Sequence, residues 1–514
     1  MKLSELLQIF PAPQIPAGFN PAAHEVPSIC FDSRRIERDC VFVAIRGEKV
    51  DGHRFLKEAV AAGACALVFE DESQVSDGFS GNFSGNFSGV LVKVSSTREA
   101  LNRLASRFYK DPSSQLFCAG VTGTNGKTTI THMMEAIFNH AGRATGVIGT
   151  IDHHLLTASG LKVWKTEMTT PDPVAFQKRL REFVDLQAKV VAMEVSSHAL
   201  HQSRVDEVPF DVAAFTNLSR DHLDYHRDMD AYFDAKAKLF TELLSRSKKP
   251  KPTAVINADD DYGKKLIERT KANGVRVWSY GSQLNADLSF KTLEQNFGGT
   301  RFILKTPMGE AEFHVAMPGL HNVYNATAAI GTGLAGGVSL KDCVAALSLF
   351  SGVPGRLEPV PNKKGVHIFV DYAHTDGAIE TVLHYLRGIR TSSGAKNRII
   401  TVFGCGGDRD KGKRPLMMKA AATGSDLVVL TSDNPRTENP EAILSDALAG
   451  ADAQAVGQTI FIEVDRKKAI RKAIELANRG DVILIAGKGH EDYQQIGTTK
   501  YPFRDVAVVK EILQ

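Results

Sequence analysis

A glycine-rich turn, Gly123-Thr124-Asn125-Gly126-Lys127-Thr128-Thr129, stands between an apolar run, Leu116 to Val121, and a segment of helical spacing, Thr128 to Ala141. Strand, glycine turn and helix in that order aim backbone N–H groups and a helix N-terminus at phosphate oxygens. In such a loop Lys127 sits on the β- and γ-phosphates, and the Thr128 hydroxyl reaches Mg²⁺. The common phosphate loop carries one more glycine, five residues before Gly126, where this chain has Val121. A plain glycine turn at a strand–helix junction is the alternative. Gly-Lys-Thr-Thr behind a buried strand is a more demanding match than a bare glycine pair.

Three further groups of residues carry chemistry in the middle of the chain. Glu194 ends the apolar run Val190-Val191-Ala192-Met193 and precedes Val195-Ser196-Ser197-His198. A carboxylate at a strand end beside a phosphate loop suits a Mg²⁺ contact, although the same residue can simply face water. After Val212-Ala213-Ala214-Phe215 comes Asn217-Leu218-Ser219-Arg220-Asp221-His222-Leu223-Asp224-Tyr225-His226. Its two His and two Asp can ligate metal or form a polar loop. Tyr232 to Phe240 has amphipathic helical spacing, and its lysines, Lys236 and Lys238, are expected in solvent.

Polar clusters recur in the last third, each behind an apolar strand. Asp371-Tyr372-Ala373-His374 follows His367–Val370, and Gly404-Cys405-Gly406-Gly407-Asp408-Arg409-Asp410-Lys411 follows Arg398–Phe403. Asp433-Asn434-Pro435-Arg436-Thr437-Glu438 follows Asp426–Leu430, and Gly487-Lys488-Gly489-His490-Glu491 follows Asp481–Ala486. A doubly wound sheet places its ligand sites beyond the carboxyl ends of its strands, so the four clusters read as one composite face.

The elements that must position these residues define an α/β chain of three domains. A small α/β domain spans 1–111, with strands at Val41–Ile45 and Ala66–Phe69 around a helix from His53 to Ala64. A central P-loop-type ATPase domain with a mostly parallel sheet spans 112–351, with a further strand at Ala254–Ile256. A Rossmann-like doubly wound domain spans 352–514; helical spacing at Gly377–Leu386 and Asp465–Ala477 alternates with its strands, which include Thr459–Ile462. No GxGxxG opens it, so no dinucleotide site is indicated. The unit Phe-Ser-Gly, three times between Phe79 and Gly89, reads as a surface loop.

Bulk composition fits a globular enzyme. The 514 residues are 43% hydrophobic and 24% charged, and 62 basic against 59 acidic residues leave +3, which favours neither nucleic acid nor membrane as partner. Six scattered cysteines without a CxxC pair argue for a reducing compartment. The N-terminus soon meets Pro11, Pro13 and Pro16, without a signal-peptide apolar region, and no stretch approaches membrane-spanning length. The expected setting is the cytoplasm, and the expected state a monomer.

Taken together, these residues resemble the Mur ligases of bacterial peptidoglycan synthesis, whose loop Gly-Thr-Asn-Gly-Lys-Thr does not keep the longer spacing that Val121 breaks. The likeness runs through Asp32-Ser33-Arg34, Thr169-Thr170-Pro171, Glu194 to His198, His321-Asn322-Val323-Tyr324-Asn325, Gly355-Arg356 and the late clusters. Asp433-Asn434-Pro435-Arg436 is similar to the signature of the branch that adds meso-diaminopimelate; lysine-adding relatives usually lack that arginine.

The resemblance implies an ATP-dependent ligase acting on a UDP-N-acetylmuramoyl-dipeptide. It places Ser33 and the Glu48-Lys49-Val50 turn at the UDP end, making 1–111 the UDP-nucleotide domain. It places Thr169, Thr170, Ser196, Gln202 and Arg204 on the muramoyl-dipeptide. Gly123 to Thr129 with Asn322, Asn325, Arg356 and Asp371 would frame ATP. Thr128, Glu194, His222 and Lys236 would hold Mg²⁺, with Lys236 carbamylated by CO₂. Lys127, Glu194, His222 and Lys236 are thus the implied catalytic set. Arg409, Asp433, Asn434, Pro435, Arg436, Gly487 and Glu491 would hold diaminopimelate, making the last domain the amino-acid site. A guanidinium fork suits the second carboxylate that distinguishes diaminopimelate from lysine. Rival readings are a sister ligase adding L-lysine or another amino acid, a folylpolyglutamate-type synthetase, a P-loop NTPase and a non-catalytic nucleotide-binding module.

Overall fold

The computed structural model describes residues 1–47, 50–71, 87–166, 168–223, 225–392 and 397–514. Glu48, Lys49, Asp224 and most of the Phe-Ser-Gly run lie outside the described residues. The chain forms two compact units: Met1–Lys127 with Phe138–Ser279 and Gly331–Val338, and Thr128–Ile137 with Tyr280–Ile330 and Ser339–Gln514.

The first unit opens with four parallel strands in sequence order: β1 (Ile29–Cys30), β2 (Val41–Val43), β3 (Ala66–Phe69) and β4 (Val90–Lys93). Successive side chains take opposite faces. Val41, Val43 and Val68 pack with Leu101 and Leu104 of helix Thr97–Phe108. Phe42, Leu67 and Phe69 pack with Leu56 and Ala59 of helix Leu56–Ala61. The single helix expected from His53 to Ala64 is two pieces, because Asp51 caps His53 N–H and starts a tighter 3₁₀ turn, Gly52–Phe55, ahead of Leu56–Ala61.

The same unit continues with β5 (Phe117–Thr122), β6 (Thr145–Ile148), β7 (His153–Thr157), β8 (Gly160–Trp164), β9 (Val190–Glu194), β10 (Val212–Phe215) and β11 (Thr253–Asn257). They lie in the order β11-β10-β5-β9-β6-β7-β8. β11 to β6 are parallel, and β7 and β8 form an antiparallel hairpin at the edge. Parallel strands buried on both faces account for their unbroken apolar runs. The order sets the end of β5 between the ends of β9 and β10, so one sheet edge carries the glycine loop, Glu194 and the segment from Thr216.

β12 (Arg276–Gly281) begins in the first unit; in the second, its Tyr280 and Gly281 pair with β13 (Leu288–Asn296), and an antiparallel meander follows through β14 (Gly299–Thr306) and β15 (Gly309–Val315). The main sheet comprises β16 (Glu358–Pro359), β17 (His367–Asp371), β18 (Ile399–Cys405), β19 (Leu427–Ser432), β20 (Ile460–Ile462) and β21 (Val482–Ala486), in the order β16-β17-β21-β18-β19-β20. All but β16 are parallel.

Phe369, Phe403, Leu430 and Leu484 meet Leu383 and Met417, on helices Asp376–Ser392 and Lys413–Gly424. Val370, Val402, Val429 and Ile485 meet Ile470 and Val509, on helices Arg466–Leu476 and Asp505–Leu513. Helices therefore cover both faces, the doubly wound arrangement that strand–helix alternation predicts. A hairpin, β22 (Tyr493–Ile496) and β23 (Thr499–Pro502), completes the unit.

Candidate active site

The glycine loop leaves β5 with Gly123 at φ 147°, and a Cβ there would lie 1.8 Å from Thr216 Oγ1. Only glycine fits that close approach. Residues behind β10 hold the loop. Thr124 N–H donates to Asn217 O (2.8 Å), Asn125 N–H to Asn217 Oδ1 (3.1 Å), Ser219 N–H to Thr124 Oγ1 (3.0 Å) and Thr216 Oγ1 to Asn125 O (2.7 Å). Lys127 Nζ rests on the loop's own carbonyls, Gly123 O (3.0 Å) and Thr124 O (2.8 Å). The helix Lys127–His140 starts there, with Thr128 and Thr129 buried in its first turn.

Lys236 departs from what its helical spacing alone predicts. Rather than pointing into solvent, it is 1% exposed on helix Met229–Lys238, its ammonium 2.9 Å from Gly123 O and 4.6 Å above the Tyr232 ring. Burial, and then the charge of Lys127, holds its pKa well below the usual lysine range. Lys238 also turns inward, to Asp206 Oδ2 (2.8 Å) and Ser203 Oγ (3.1 Å). An amphipathic pattern does not say which lysine lies under the neighbouring loop.

Glu194 ends β9 at 1% exposure. It accepts from Thr150 N–H (2.8 Å) and Thr150 Oγ1 (3.0 Å), with no cationic side chain on it among the described residues. A buried carboxylate with hydroxyl and amide partners but no cation fits a divalent ion. His222 is half exposed with φ 53°, edge-on to His198 at 5.0 Å between ring centroids. Among the described residues no three His, Cys, Asp or Glu side chains are gathered at metal-ligand spacing. The Asp221 carboxylate lies 3.5 Å from His222 Nε2.

Of the residues implied for the UDP substrate, Ser33 opens the one-turn helix Ser33–Arg35, capped by Asp32. The Arg34 guanidinium holds the Asp32 carboxyl down at about 2. Val50 is exposed, and Glu48 and Lys49 lie outside the described residues. The others form one chain of bonds. Thr169 Oγ1 is 3.0 Å from Thr150 Oγ1; Thr170 Oγ1 donates to Glu194 O (2.8 Å) and accepts from Ser196 N–H (3.1 Å). Arg204 donates to Thr170 O (2.7 Å) and Gln202 Oε1 (2.7 Å).

In the second unit, Asn325 Nδ2 donates to Asn322 Oδ1 (3.1 Å) inside helix Leu320–Ala335. Asp371 ends β17 and accepts from Leu357 N–H (2.7 Å) and Ala373 N–H (2.8 Å); burial raises its pKa. The Arg356 guanidinium lies 5.2 Å over the Tyr372 ring.

Beyond the ends of β18, β19 and β21 the late clusters converge. Asp433 and Asn434 are buried, Asn434 Nδ2 donating to Glu491 Oε2 (2.9 Å). Arg436, at φ 50°, donates Nη1 to Gly407 O (2.6 Å), and its backbone is bracketed by Gln495 O (3.1 Å) and Gly497 N–H (2.7 Å). Gly487 has φ 115°, Pro435 is buried and Arg409 is exposed.

Sequence reasoning assigned no role to several residues that hold this arrangement. Arg414, 1% exposed, grips Glu438 (2.7 Å) and Asp446 (2.8 Å), so the Gly406–Asp408 turn and the Asp433–Glu438 turn move as one. Thr150 holds Glu194; the strand-end rule applied to β6 would have found it. Asn217 was visible only as part of a polar run, and Thr216 was passed over. Lys488 was named in its cluster and given no function, yet it is completely buried among Asp433, Asn434 and Glu491.

A glycine loop with a lysine at a helix start, beside a buried strand-end carboxylate, defines a nucleotide-phosphate-binding α/β protein. Three family models match: the Mur ligase family catalytic domain at 25–109, the Mur ligase middle domain at 121–333 and the Mur ligase glutamate ligase domain at 355–489. The chain belongs to the Mur ligase family. It is 44% identical to the UDP-N-acetylmuramoyl-L-alanyl-D-glutamate--2,6-diaminopimelate ligase of Geobacter sulfurreducens, covering 94% of this chain and 93% of the relative. Against the ligase of the same name from Aquifex aeolicus the identity is 43%, covering 95% and 94%. A solved structure of a ligase of that name aligns with TM-score 0.71 at 32% identity, over 99% of this chain and 98% of the other. MurF ligase from Thermotoga maritima in complex with ADP shares the fold, with TM-score 0.57 at 18% identity, over 95% and 96%.

Proposed function

We propose that the chain is an ATP-dependent ligase that adds meso-diaminopimelate to the D-Glu carboxylate of UDP-N-acetylmuramoyl-L-Ala-D-Glu through an acyl phosphate, in peptidoglycan precursor synthesis. The observation that carries this reading is the makeup of the late cluster. One guanidinium, Arg436, suits a carboxylate, and one carboxylate, Glu491, suits an ammonium, both at the carboxyl ends of a doubly wound sheet. The nearly full-length identity to ligases of that name supports it.

A carboxylate does not condense with an amine in water, so the γ-phosphoryl group must first be transferred to it. Lys127, displaced from its carbonyls onto the phosphates, offsets the repulsion between two anions. Mg²⁺, when bound, neutralises phosphate charge, and Thr128, Glu194, His222 and Lys236 would hold it. Lys236 suits carbamylation, because an amine held below its usual pKa keeps its lone pair. Nitrogen bonds to the carbon of CO₂, a proton leaves, and the product is anionic. The Thr169, Thr170, Ser196, Gln202 and Arg204 chain of bonds ends on Glu194 O and would hold the muramoyl-dipeptide there. Ser33 and the Glu48-Lys49-Val50 turn would meet the uridine end, and Asn322, Asn325, Arg356 and Asp371 would frame the nucleotide.

We divide the chain functionally at 1–111, 112–351 and 352–514. It acts as a monomer in the cytoplasm; no helix among the described residues is long and apolar enough to cross a membrane.

The test is phosphate release from ATP with UDP-N-acetylmuramoyl-L-Ala-D-Glu, then with each candidate amino acid added. Release that needs both substrates and is strongest with meso-diaminopimelate is expected. Release from ATP alone would make the chain an NTPase, nucleotide binding without release a binding module, and a preference for L-lysine a sister ligase.

A further inference from the structure

Lys488 is 0% exposed, and its ammonium sits 3.0 Å from Asn434 Oδ1, 2.9 Å from Glu491 Oε2 and 3.4 Å from Asp433 Oδ1. Full burial of a lysine is costly, and only a paired charge with its donors hydrogen-bonded offsets it. This one touches three residues of the amine cluster at once, with two consequences.

The first concerns orientation. Asn434 Oδ1 accepts from Lys488 and from Gln495 N–H (2.9 Å), so the amide cannot flip. Its Nδ2 must donate, and one hydrogen goes to Glu491 Oε2 (2.9 Å), which leaves one to give. Glu491 Oε2 in turn takes two donors, and Oε1 has no partner among the described residues. One amide hydrogen and one carboxylate oxygen are left for a ligand.

The second concerns charge. Asp433 and Glu491 bring two negative charges and Lys488 one positive, while the neighbouring Arg466–Asp505 pair (2.7 Å) cancels itself. Asp433, Glu491 and Lys488 taken together are one positive charge short, and a single ammonium completes them, with the Arg436 guanidinium held on Gly407 O. Without Lys488 two carboxylates would share a desolvated site, and one would take up a proton instead of waiting for a ligand.

We propose that Lys488 is a positioning and specificity-determining residue of the amine site, locking Asn434 and Glu491 in their ligand-ready orientation and setting the deficit at one cation. This rests on the ligase reading above.

The test is amine-dependent phosphate release by the full chain, with ATP and the UDP substrate in turn held saturating. Lys488→Met should raise the KM for diaminopimelate about thirtyfold, the loss of one charged hydrogen-bond partner. The KM values for ATP and the UDP substrate should stay within about twofold. Adding Lys488→Met to Glu491→Gln should cost clearly less than thirtyfold beyond Glu491→Gln alone, because part of the lysine's effect runs through that carboxylate. If Lys488→Met does not fold, Lys488→Arg keeps the charge and displaces the donors. A raised KM for diaminopimelate with unchanged ATP kinetics then supports the proposal, and wild-type kinetics overturns it. Lys488→Met with an unchanged KM for diaminopimelate, or with all three KM values rising alike, also overturns it. A wild-type chain that releases no phosphate in response to any amino acid instead overturns the ligase reading, and this inference with it.

Discussion

The phosphate loop and the late amine cluster are built from different materials. Around Gly123–Lys127 the contacts are made largely by main chain: carbonyls receive Lys127 and Lys236, and amides are fixed by Asn217. Around Asp433 and Glu491, side chains bind side chains: Lys488, Asn434 and Glu491 use up most of one another's hydrogen-bonding capacity. A main-chain cradle needs glycine and a fixed spacing and tolerates little else. A side-chain cage needs complementary charges brought together from separated strand ends. The first suits an invariant ligand such as a phosphate chain, and the second is where one amino acid can be told from another.

The sharpest way to break this contrast is at Lys127. Lys127→Ala should lower kcat on the order of 10³-fold through lost stabilisation of the transferring phosphoryl group, for every amino acid tried. A loss that depended on the amino acid would blur the division. Lys236→Ala should be nearly inactive and partly rescued by short added carboxylates; a fully active variant would remove the carbamate. Arg436→Ala should lose about 2–5 kcal/mol in kcat/KM for diaminopimelate, with the KM for ATP unchanged. Gly123→Ala should destabilise by about 1–3 kcal/mol in chemical denaturation and weaken ADP binding in calorimetry, since the new Cβ collides with Thr216.

The smallest effect is with pH. Burial raises the pKa of Asp433, so it is protonated at a higher pH than a free aspartate. As pH falls, the cluster loses its negative charge early, and the KM for diaminopimelate should rise several-fold before the KM for the UDP substrate moves. Parallel profiles would show that Asp433 does not set the charge.

That difference in material also explains what could be read in advance. The glycine loop, the strand-end carboxylate and the four clusters behind β17, β18, β19 and β21 were legible because apolar runs locate strands and the parallel sheet brings their ends together. Lys236 was singled out by the resemblance and not by its spacing, since helical periodicity marks a face but not the loop that covers it. The Lys488 hub was not, since its partners lie 54 and 55 residues earlier in the chain as well as three residues later. The 3₁₀ turn at Gly52–Phe55 was missed because Asp51 reads equally as a loop residue and as a cap.

The bracket that β22 places on Arg436 has a consequence for biogenesis. The phosphate loop is stitched by residues up to Lys236, whereas Arg436 is pinned through Gln495 and Gly497. A chain emerging from the ribosome therefore completes the phosphate loop long before the guanidinium that would choose the amino acid is fixed. Discrimination is the last faculty the nascent protein gains, and a chain stopped short of the hairpin would keep the cradle without the selector.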